Sequence, residues 1–266
     1  MAIIPKFFFD AVVAIGLQSD HQIIWIGTGF LVGRKESDTE RYTIFLVTNY
    51  HIIENKNEIM VRFNQADTKN CIDFSVTLLD EHGERFSKHN IADVIAIQIS
   101  PAFLKNNNAE YNWFSLDRHA LTLKQMRETD VFEGSFVYSL GFPINMTGIN
   151  RKTPVCRMGC ISRISDVFEN PQMLEYLVDL QTIPGNSGAP VINRPQEIHI
   201  NGTSYNSSAN LIGIISGTID YSERCENSIC NMEHERNSGL AIVHPVDIIE
   251  AVVEQEYRRN EGRNSN

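Results

Sequence analysis

The chain has 266 residues, of which 42% are hydrophobic and 21% charged, so it can bury a large core and a wholly disordered chain is excluded. Its formal net charge of −10 argues against a nucleic-acid partner, because proteins that bind phosphate backbones usually carry a basic face. The length suits one large domain or two small β-barrels that share a core.

The N-terminal segment, MAIIPKFFFDAVVAIG, predicts neither a signal peptide nor a membrane anchor. Asp10 interrupts its apolar stretch, and no small-residue cleavage site follows. No segment of the chain approaches the length of apolar sequence that spans a membrane. We therefore expect a cytoplasmic protein that does not bind a membrane.

Twelve short runs rich in Ile, Val, Phe and Tyr predict β-strands, since each is bounded by turn residues. Helical periodicity is scarce before residue 244, which argues against alternating βαβ units. The pattern predicts an all-β sandwich or a pair of barrels. The runs cover residues 10–17, 22–32, 43–49, 58–63, 73–79, 93–99, 135–142, 154–164, 174–181, 188–193, 209–219 and 238–245.

Three segments fall outside this strand pattern. Residues 101–130 are polar and poorly periodic, so we interpret them as the connection between two halves. Residues 220–237 are long, polar and acidic, and they predict a loop that serves as a lid, a docking surface or a mere insertion. Residues 246–259 follow Pro245 and predict a helix with an apolar face, and the tail 258–266 is expected to be disordered.

The five cysteines do not predict a disulfide framework, because their number is odd and the chain is long. Free, mostly buried thiols are the preferred interpretation. Zinc binding stays open as an alternative, although the cysteine spacings miss the usual C-x2-C pattern. The residues concerned are Cys71, which stands alone, the pair Cys156 and Cys160, and the group Cys225, Cys230 and His234.

The stretch QTIPGNSGAPVI, residues 181–192, is either a turn between strands or a turn that presents a nucleophilic serine. The strand-to-helix elbow of α/β-hydrolases does not fit, because Ala189 replaces the last glycine of G-x-S-x-G and a strand-like run follows. A nucleophilic Ser187 would need a histidine as its base and a carboxylate to orient that histidine.

His51 and Asp93 are the candidates for those two roles. His51 follows the apolar run TIFLVTNY, which would fix its ring at the mouth of a core. Asp93 begins another apolar strand, where a carboxylate is costly to bury unless a group pairs with it. Taken singly, His51 also fits a half-buried core histidine, and Asp93 fits an aspartate that caps a turn.

Five segments taken together resemble chymotrypsin-fold serine proteases, most closely the bacterial HtrA-type (Deg) branch, over most of residues 8–250. The resemblance implies that Ser187 is the nucleophile, His51 the general base and Asp93 its orienter. It implies two consecutive six-stranded antiparallel β-barrels, residues 1–125 and 126–245, with a C-terminal helix and tail, 246–266. The segments, in the order of that fold, are GTGFLV (27–32), LVTNYHII (46–53), ADVIAIQI (92–99), YSLGFP (138–143) and PGNSGAPVI (184–192).

The resemblance also implies how the site is activated. An oxyanion hole is expected from the backbone of Gly185, Asn186 and Ser187. Secreted digestive proteases carry aspartate where this chain has Asn186, and they pair it with a new N-terminus after cleavage. This chain also lacks their IVGG-like start, so any regulation is expected from loop ordering or from an activating partner protein.

The resemblance places substrate recognition on the strand 211–219, which matches the strand that pairs with an extended protein or peptide substrate in that family. None of the expected pocket residues is charged, so an uncharged residue is expected before the cleaved bond. The alternative is that this strand serves only as core. The expected pocket residues are Gln181 and Thr182 at its base, Ser216, Gly217 and Thr218 on one wall, and Gly239 on the other.

The sequence therefore predicts a serine endopeptidase that requires no cofactor or metal. A catalytically latent protease-fold binding module and a serine esterase remain as alternatives. The natural substrate and the oligomeric state are not predicted.

Overall fold

The structure is a computed structural model that describes residues 4–264, apart from 21, 38, 67, 69, 145–151, 171, 197–206 and 228–229. For the other residues of 223–235 and for residue 264 it describes only the backbone. The described chain is mostly β, with a nine-stranded sheet, a closed six-stranded barrel and a C-terminal helix.

The N-terminal half forms the nine-stranded sheet. Its strand order is β10-β4-β1-β2-β3-β9-β8, with β5 beside β4 and β11 beside β2, while β6 and β7 form a separate hairpin. The strands are β1 Val12–Gln18, β2 Ile23–Lys35, β3 Tyr42–Thr48, β4 Glu58–Gln65, β5 Cys71–Thr77, β6 Leu79–Asp80, β7 Gly83–Glu84, β8 Ser87–Lys88, β9 Ile95–Ile99, β10 Ala109–Glu110 and β11 Phe114–Ser115.

This N-terminal sheet does not close, so the prediction of two closed barrels is wrong for this half of the described chain. Strand β5 pairs only with β4 in the described sheet, and directly after β5 the N–H groups of Leu78 and Leu79 both donate to the carbonyl of Asn57, at 2.7 and 3.3 Å. A cavity of about 700 Å³ lies in the opening and is lined by residues 74–77 of β5 and 97–99 of β9.

The C-terminal half forms a closed six-stranded barrel, as the resemblance implies for this half. Its strands follow one another in the order β12-β13-β14-β17-β16-β15. They are β12 Phe136–Gly141, β13 Val155–Arg163, β14 Tyr176–Asp179, β15 Pro190–Asn193, β16 Leu211–Asn227 and β17 Cys230–Pro245.

Strands β16 and β17 extend well beyond the barrel, so the loop predicted at 220–237 is instead a two-stranded ribbon. Its strands pair antiparallel from Asp220 opposite Asn237 to Asn227 opposite Cys230. The polar composition concealed this, because a two-stranded ribbon in solvent needs no alternation of apolar and polar residues and is held by its backbone ladder.

Alternate residues of β1 serve two different cores, which explains why this strand is apolar on both faces. Val13 and Ile15 pack inside the N-terminal sheet. Val12 and Ala14 pack into a cluster that also contains Leu140 of β12 and residues of the C-terminal helix. This second cluster joins the two halves, and it therefore fixes how the loops of one half face the loops of the other.

Six helices accompany the strands in the part of the chain that the structure describes. The connection 101–130 contains α3 (Pro101–Asn106), β10, β11 and α4 (Leu123–Glu128), and the predicted domain boundary between residues 125 and 126 falls within α4. Within the described residues, no helix is long and apolar enough to cross a membrane. The helices are α1 Lys6–Ala11, α2 Tyr50–Ile53, α3 Pro101–Asn106, α4 Leu123–Glu128, α5 Ser165–Glu169 and α6 Val246–Asn264.

Helix α6 confirms the predicted C-terminal helix and extends beyond it. Its predicted apolar face is buried, with Ile249 and Val252 both at 0% exposure. The tail expected to be disordered is helical through Asn264. Asn260 Nδ2 donates to Gln98 Oε1 at 2.7 Å, and Arg263 donates to the carbonyl of His82 at 3.2 Å, so the N-terminal half anchors the last turns.

No disulfide joins the cysteines whose side chains are described, but the expectation that they are mostly buried is wrong for these three. Cys156 is exposed, and Cys71 and Cys160 are only partly buried. Cys156 and Cys160 both lie on β13, whose burial pattern is mixed along its length.

The carboxylate of Glu133 caps the start of α5. The N–H groups of Ile164 and Ser165 both donate to Glu133 Oε1 at 2.8 Å, and the Ser165 hydroxyl donates to Oε2 at 2.8 Å. Burial alone would raise the pKa of Glu133, but these donors outweigh it and lower the pKa to about 2.

We expect Glu133→Ala to lower the free energy of unfolding by about 1 kcal/mol at pH 7, as loss of a helix cap typically does. Because the pKa of Glu133 is lowered on folding, its stabilisation is present above pH 4.5 and is lost as the pH falls towards about 2. Urea unfolding at pH 7 and pH 3 measures this. Glu169→Ala, at the exposed end of α5, is the matched control, and equal losses in both variants would contradict the cap.

Candidate active site

His51 lies on α2, the single helical turn that follows β3. Ile52 and Ile53 are buried at 5% and 2% exposure and anchor the turn, while the side chain of His51 remains 48% exposed. His51 Nδ1 lies 2.5 Å from Asp93 Oδ2, and the backbone N–H of His51 donates to Asp93 Oδ1 at 3.0 Å. The carboxylate therefore holds both the ring and the main chain, with Nδ1 as donor and Nε2 left to accept a proton.

Asp93 lies in the loop between β8 and β9 and is bonded by groups from both halves of the chain. Asn49 Nδ2 donates to the Asp93 carbonyl at 2.7 Å, and the Ser216 hydroxyl donates to Oδ2 at 3.3 Å. Burial alone would raise the pKa of Asp93, but the bonds from His51 and Ser216 outweigh it and lower the pKa. The carboxylate is therefore ionised at neutral pH, as an orienter of histidine requires.

Ser187 lies in the turn between β14 and β15, which packs directly against β2. Gly188 adopts a φ of +82°, and a Cβ there would meet the Thr28 carbonyl oxygen at 2.0 Å. Gly185 has a φ of +98°, and a Cβ there would meet the Phe142 carbonyl oxygen at 2.5 Å. Only glycine fits either position, so the turn holds Ser187 at one place against the N-terminal half.

Hydrogen bonds accepted by their carbonyls fix the orientation of two peptide groups in this turn. The Pro184 carbonyl accepts from Ile144 at 2.9 Å, and the Asn186 carbonyl accepts from Ala189 at 3.0 Å. Because carbonyl and N–H point in opposite directions in a trans peptide, the N–H groups of Gly185 and Ser187 point away from those donors. Neither N–H has an acceptor within the described chain, so both are available to an oxyanion.

The N–H of Asn186, unlike those of Gly185 and Ser187, is already paired. Its N–H donates to the Ile183 carbonyl at 3.1 Å, within the turn itself. The prediction that Asn186 contributes to the oxyanion hole is therefore wrong for its N–H group. Its side chain is buried at 4% exposure beside Gly141.

Thr28 holds the serine turn, and the sequence interpretation did not single it out. It is fully buried, its hydroxyl donates to the Gly185 carbonyl at 2.7 Å, and the same oxygen accepts from the Phe142 N–H at 2.9 Å. Its own N–H donates to the Ser187 carbonyl at 3.0 Å. Thr28 belongs to the segment GTGFLV, which the sequence analysis used for the family resemblance. Only the fold shows which groups the Thr28 hydroxyl contacts.

The structure does not join Ser187 to His51. In the part of the chain that is described, the Ser187 hydroxyl makes no hydrogen bond, so the bond from nucleophile to base is absent in this conformation. Such bonds are often long without substrate and tighten only in the substrate complex. The roles of Ser187 as nucleophile and of His51 as its base therefore stay predictions.

A cavity of about 170 Å³ lies beside Ser187. Thr182, Gly217 and Thr218, which were predicted to form the specificity pocket, all line it, together with Asn237. Asn237 Nδ2 donates to the Thr182 carbonyl at 2.9 Å, so the base of the ribbon forms one wall. Substrate binding in this cavity stays a prediction.

Three other residues predicted for the pocket lie outside the lining of this cavity. The side chain of Gln181 is exposed to solvent. The hydroxyl of Ser216 is engaged with Asp93. The N–H of Gly239 donates to Asn237 Oδ1 at 2.7 Å, so Gly239 supports a lining residue.

A metal site is not evident among the residues whose side chains are described. The zinc alternative at Cys225, Cys230 and His234 lies outside those side chains. Cys156 and Cys160 carry no such cluster.

Comparison with known proteins gives one family match. The model of the trypsin-like peptidase domain matches residues 27–198, a range that includes His51, Asp93 and Ser187. No curated protein matches the chain.

Three solved structures that are similar to this chain are distant from it in sequence. The MamO protease domain from Magnetospirillum magneticum, in its apo form, is 14% identical with a TM-score of 0.48, over 92% of this chain and 97% of that one. The HtrA-type protease AlgW with a decapeptide is 12% identical with a TM-score of 0.48, over 94% and 66%. An inactive form of Rv3671c from M. tuberculosis H37Rv is 17% identical with a TM-score of 0.46, over 94% and 88%. Because the family model covers more than half of the sequence, this chain belongs to the trypsin-like peptidase family.

Proposed function

We propose that this chain is a serine endopeptidase that hydrolyses peptide bonds through an acyl-enzyme on Ser187. The observation that carries the proposal is the Asp93 carboxylate, which bonds both the ring and the backbone of His51. A carboxylate placed in this way selects the tautomer that a general base needs. The free N–H groups of Gly185 and Ser187 supply the second requirement, a site for a developing oxyanion.

The proposed mechanism assigns one step to each group. Ser187 Oγ attacks the carbonyl carbon as His51 Nε2 takes its proton, and Asp93 stabilises the imidazolium. The N–H groups of Gly185 and Ser187 donate to the oxyanion, each contributing on the order of 3 kcal/mol to transition-state stabilisation. His51 then protonates the leaving amine. In the second half, water attacks the acyl-enzyme as His51 Nε2 takes its proton, and His51 returns a proton to Ser187 Oγ as the carboxylic acid is released.

The edge of β16 is the proposed binding site for the substrate main chain. Strand β15 pairs with β16 only as far as Ile214, and Ile215 bonds to residues 188 and 189 of the serine turn. Gly217 and Thr218 are therefore paired with β17 alone in the described sheet, and their other edge can accept an extended peptide. The uncharged cavity beside Ser187 favours an uncharged residue before the cleaved bond.

A latent form of the same site is the second candidate. The specific observation in its favour is that the Ser187 hydroxyl does not bond to His51 in this conformation. In that form a partner protein would bring the two side chains together by ordering the surrounding loops. The same residues would also serve an esterase, because ester hydrolysis proceeds through the same acyl-enzyme.

Labelling with a fluorophosphonate, read by intact mass and peptide mapping, tests the proposal. We expect one adduct on Ser187 of the parent, none on Ser187→Ala, and strongly slowed labelling of His51→Ala. Failure of the folded parent to react would contradict the active form and support the latent one. Cleavage of activated esters but of no member of a peptide library would contradict an endopeptidase.

A further inference from the structure

The loop that presents Asp93 is held by the ring of His89. His89 Nδ1 accepts from the N–H of Ala92 at 2.9 Å and from the N–H of Ile91 at 3.3 Å. The loop is also closed through its backbone, because His89 N–H donates to the Val94 carbonyl at 3.0 Å. Both ring contacts thus lie within two residues of Asp93.

These two contacts determine the protonation state of the ring. A backbone N–H can only donate, so Nδ1 must be unprotonated to accept from Ile91 and Ala92. The ring is therefore neutral, with its proton on Nε2. A second proton could enter only at Nδ1, where it would face two donors and remove both hydrogen bonds.

The surroundings of His89 favour this neutral form. Burial lowers the pKa of His89, and the charge that a protonated His244 would carry lowers it further. Among the described residues, His244 is the titratable group that faces the ring from another element, β17. It is buried at 4% exposure, and its Nδ1–H donates to the Leu174 carbonyl at 2.8 Å.

We propose that neutral His89 is a positioning residue for Asp93, and that its protonation displaces the loop and disengages Asp93 from His51. This inference rests on the proposed function, because it concerns the orienter of the proposed general base. His89 touches neither substrate nor reacting atoms, and it acts only through the backbone of residues 91–93. Protonation of His89 in acid then switches the site off.

The first test is the pH dependence of kcat/KM, or of the fluorophosphonate labelling rate, in three proteins. In the parent we expect the acid limb to be steeper by one proton than in a variant that cannot titrate at position 89. The rate of His89→Asn should stay within about threefold of the parent's rate at pH 7.5, and its acid limb should lack the additional proton. The asparagine side-chain oxygen can accept from a backbone N–H two residues on, and it does not titrate. His89→Ala should lose about tenfold at pH 7.5, which is about 1.4 kcal/mol.

The second test needs no activity and uses the folded parent. Nitrogen-15 NMR of the histidine rings should show His89 at pH 7.5 with Nδ1 unprotonated and Nε2 protonated. The Nδ1 proton of His51 should broaden or shift as His89 is protonated, and it should persist to lower pH in His89→Asn. A protonated Nδ1 on His89 at neutral pH, or identical acid limbs in all three proteins, would overturn the inference. A parent unreactive at every pH but with the expected His89 tautomer would count against the proposed function alone.

Discussion

Replacing Asp93 by asparagine should lower kcat/KM by about 10⁴-fold, the loss typical when the orienting carboxylate of a serine–histidine pair becomes an amide. The contacts of Asp93 explain why an amide cannot substitute. The backbone N–H of His51 requires an acceptor at the Oδ1 position. The amide oxygen must take that place, which leaves the NH₂ group facing His51 Nδ1. Nδ1 then becomes an acceptor, and the proton moves to Nε2, where the ring can no longer accept from Ser187.

Ser216→Ala is the matched control for this change. It removes the other donor to Asp93 Oδ2, at 3.3 Å, but keeps the carboxylate and the tautomer of His51. We expect its rate to fall by about tenfold, since one hydrogen bond to a charged group contributes about 1.5 kcal/mol. Initial rates at pH 8 and thermal unfolding of both variants measure this. A comparable loss in the two proteins would show that the tautomer does not limit the reaction.

Replacing Thr28 by valine should lower kcat/KM by about 10²-fold, similar to the loss of one oxyanion donor. Valine keeps the shape but removes the hydroxyl, which leaves the Gly185 carbonyl and the Phe142 N–H buried without their partner. The Gly185 carbonyl belongs to the peptide between the two proposed oxyanion donors. Once released, this peptide can rotate and carry both N–H groups out of alignment. An unfolding measurement should show a loss of about 2 kcal/mol from the unpaired groups.

Two threonine variants separate rate from stability. Thr28→Ser keeps the hydroxyl, so its rate should stay within about threefold of the parent while it loses one buried methyl group, about 1 kcal/mol of stability. Thr48→Val removes a neighbouring buried hydroxyl that donates to the Thr28 carbonyl at 2.7 Å. It should destabilise the protein but leave Gly185 bonded to Thr28. If Thr48→Val lost activity as severely as Thr28→Val, general destabilisation would explain both.

The local sequence pattern was sufficient to predict the elements whose residues show one clear hydrophobic period or one clear composition. The long apolar runs each became a strand, and residues 246–259 became part of α6. The three candidate catalytic residues could be named because short segments around them occur in a recognisable order. Predictions from residue composition were wrong for two elements that are not stabilised by apolar side chains. The ribbon of β16 and β17 is held by a backbone ladder, and the end of α6 is held by contacts with the N-terminal half.

By itself, the sequence determined that this is a mostly β chain with a helical end, a glycine-bounded serine and a negative net charge, because these follow from residue types and local spacing. Only the tertiary structure decided that the N-terminal sheet stays open, that Ser216 bonds to Asp93, and that Thr28 bonds to Gly185. Ser216 lies 123 residues from Asp93, and Thr28 lies 157 residues from Gly185. Hydrogen bonds across such separations leave no periodic signal along the chain. They form only because the apolar cluster shared by the two halves brings their loops together.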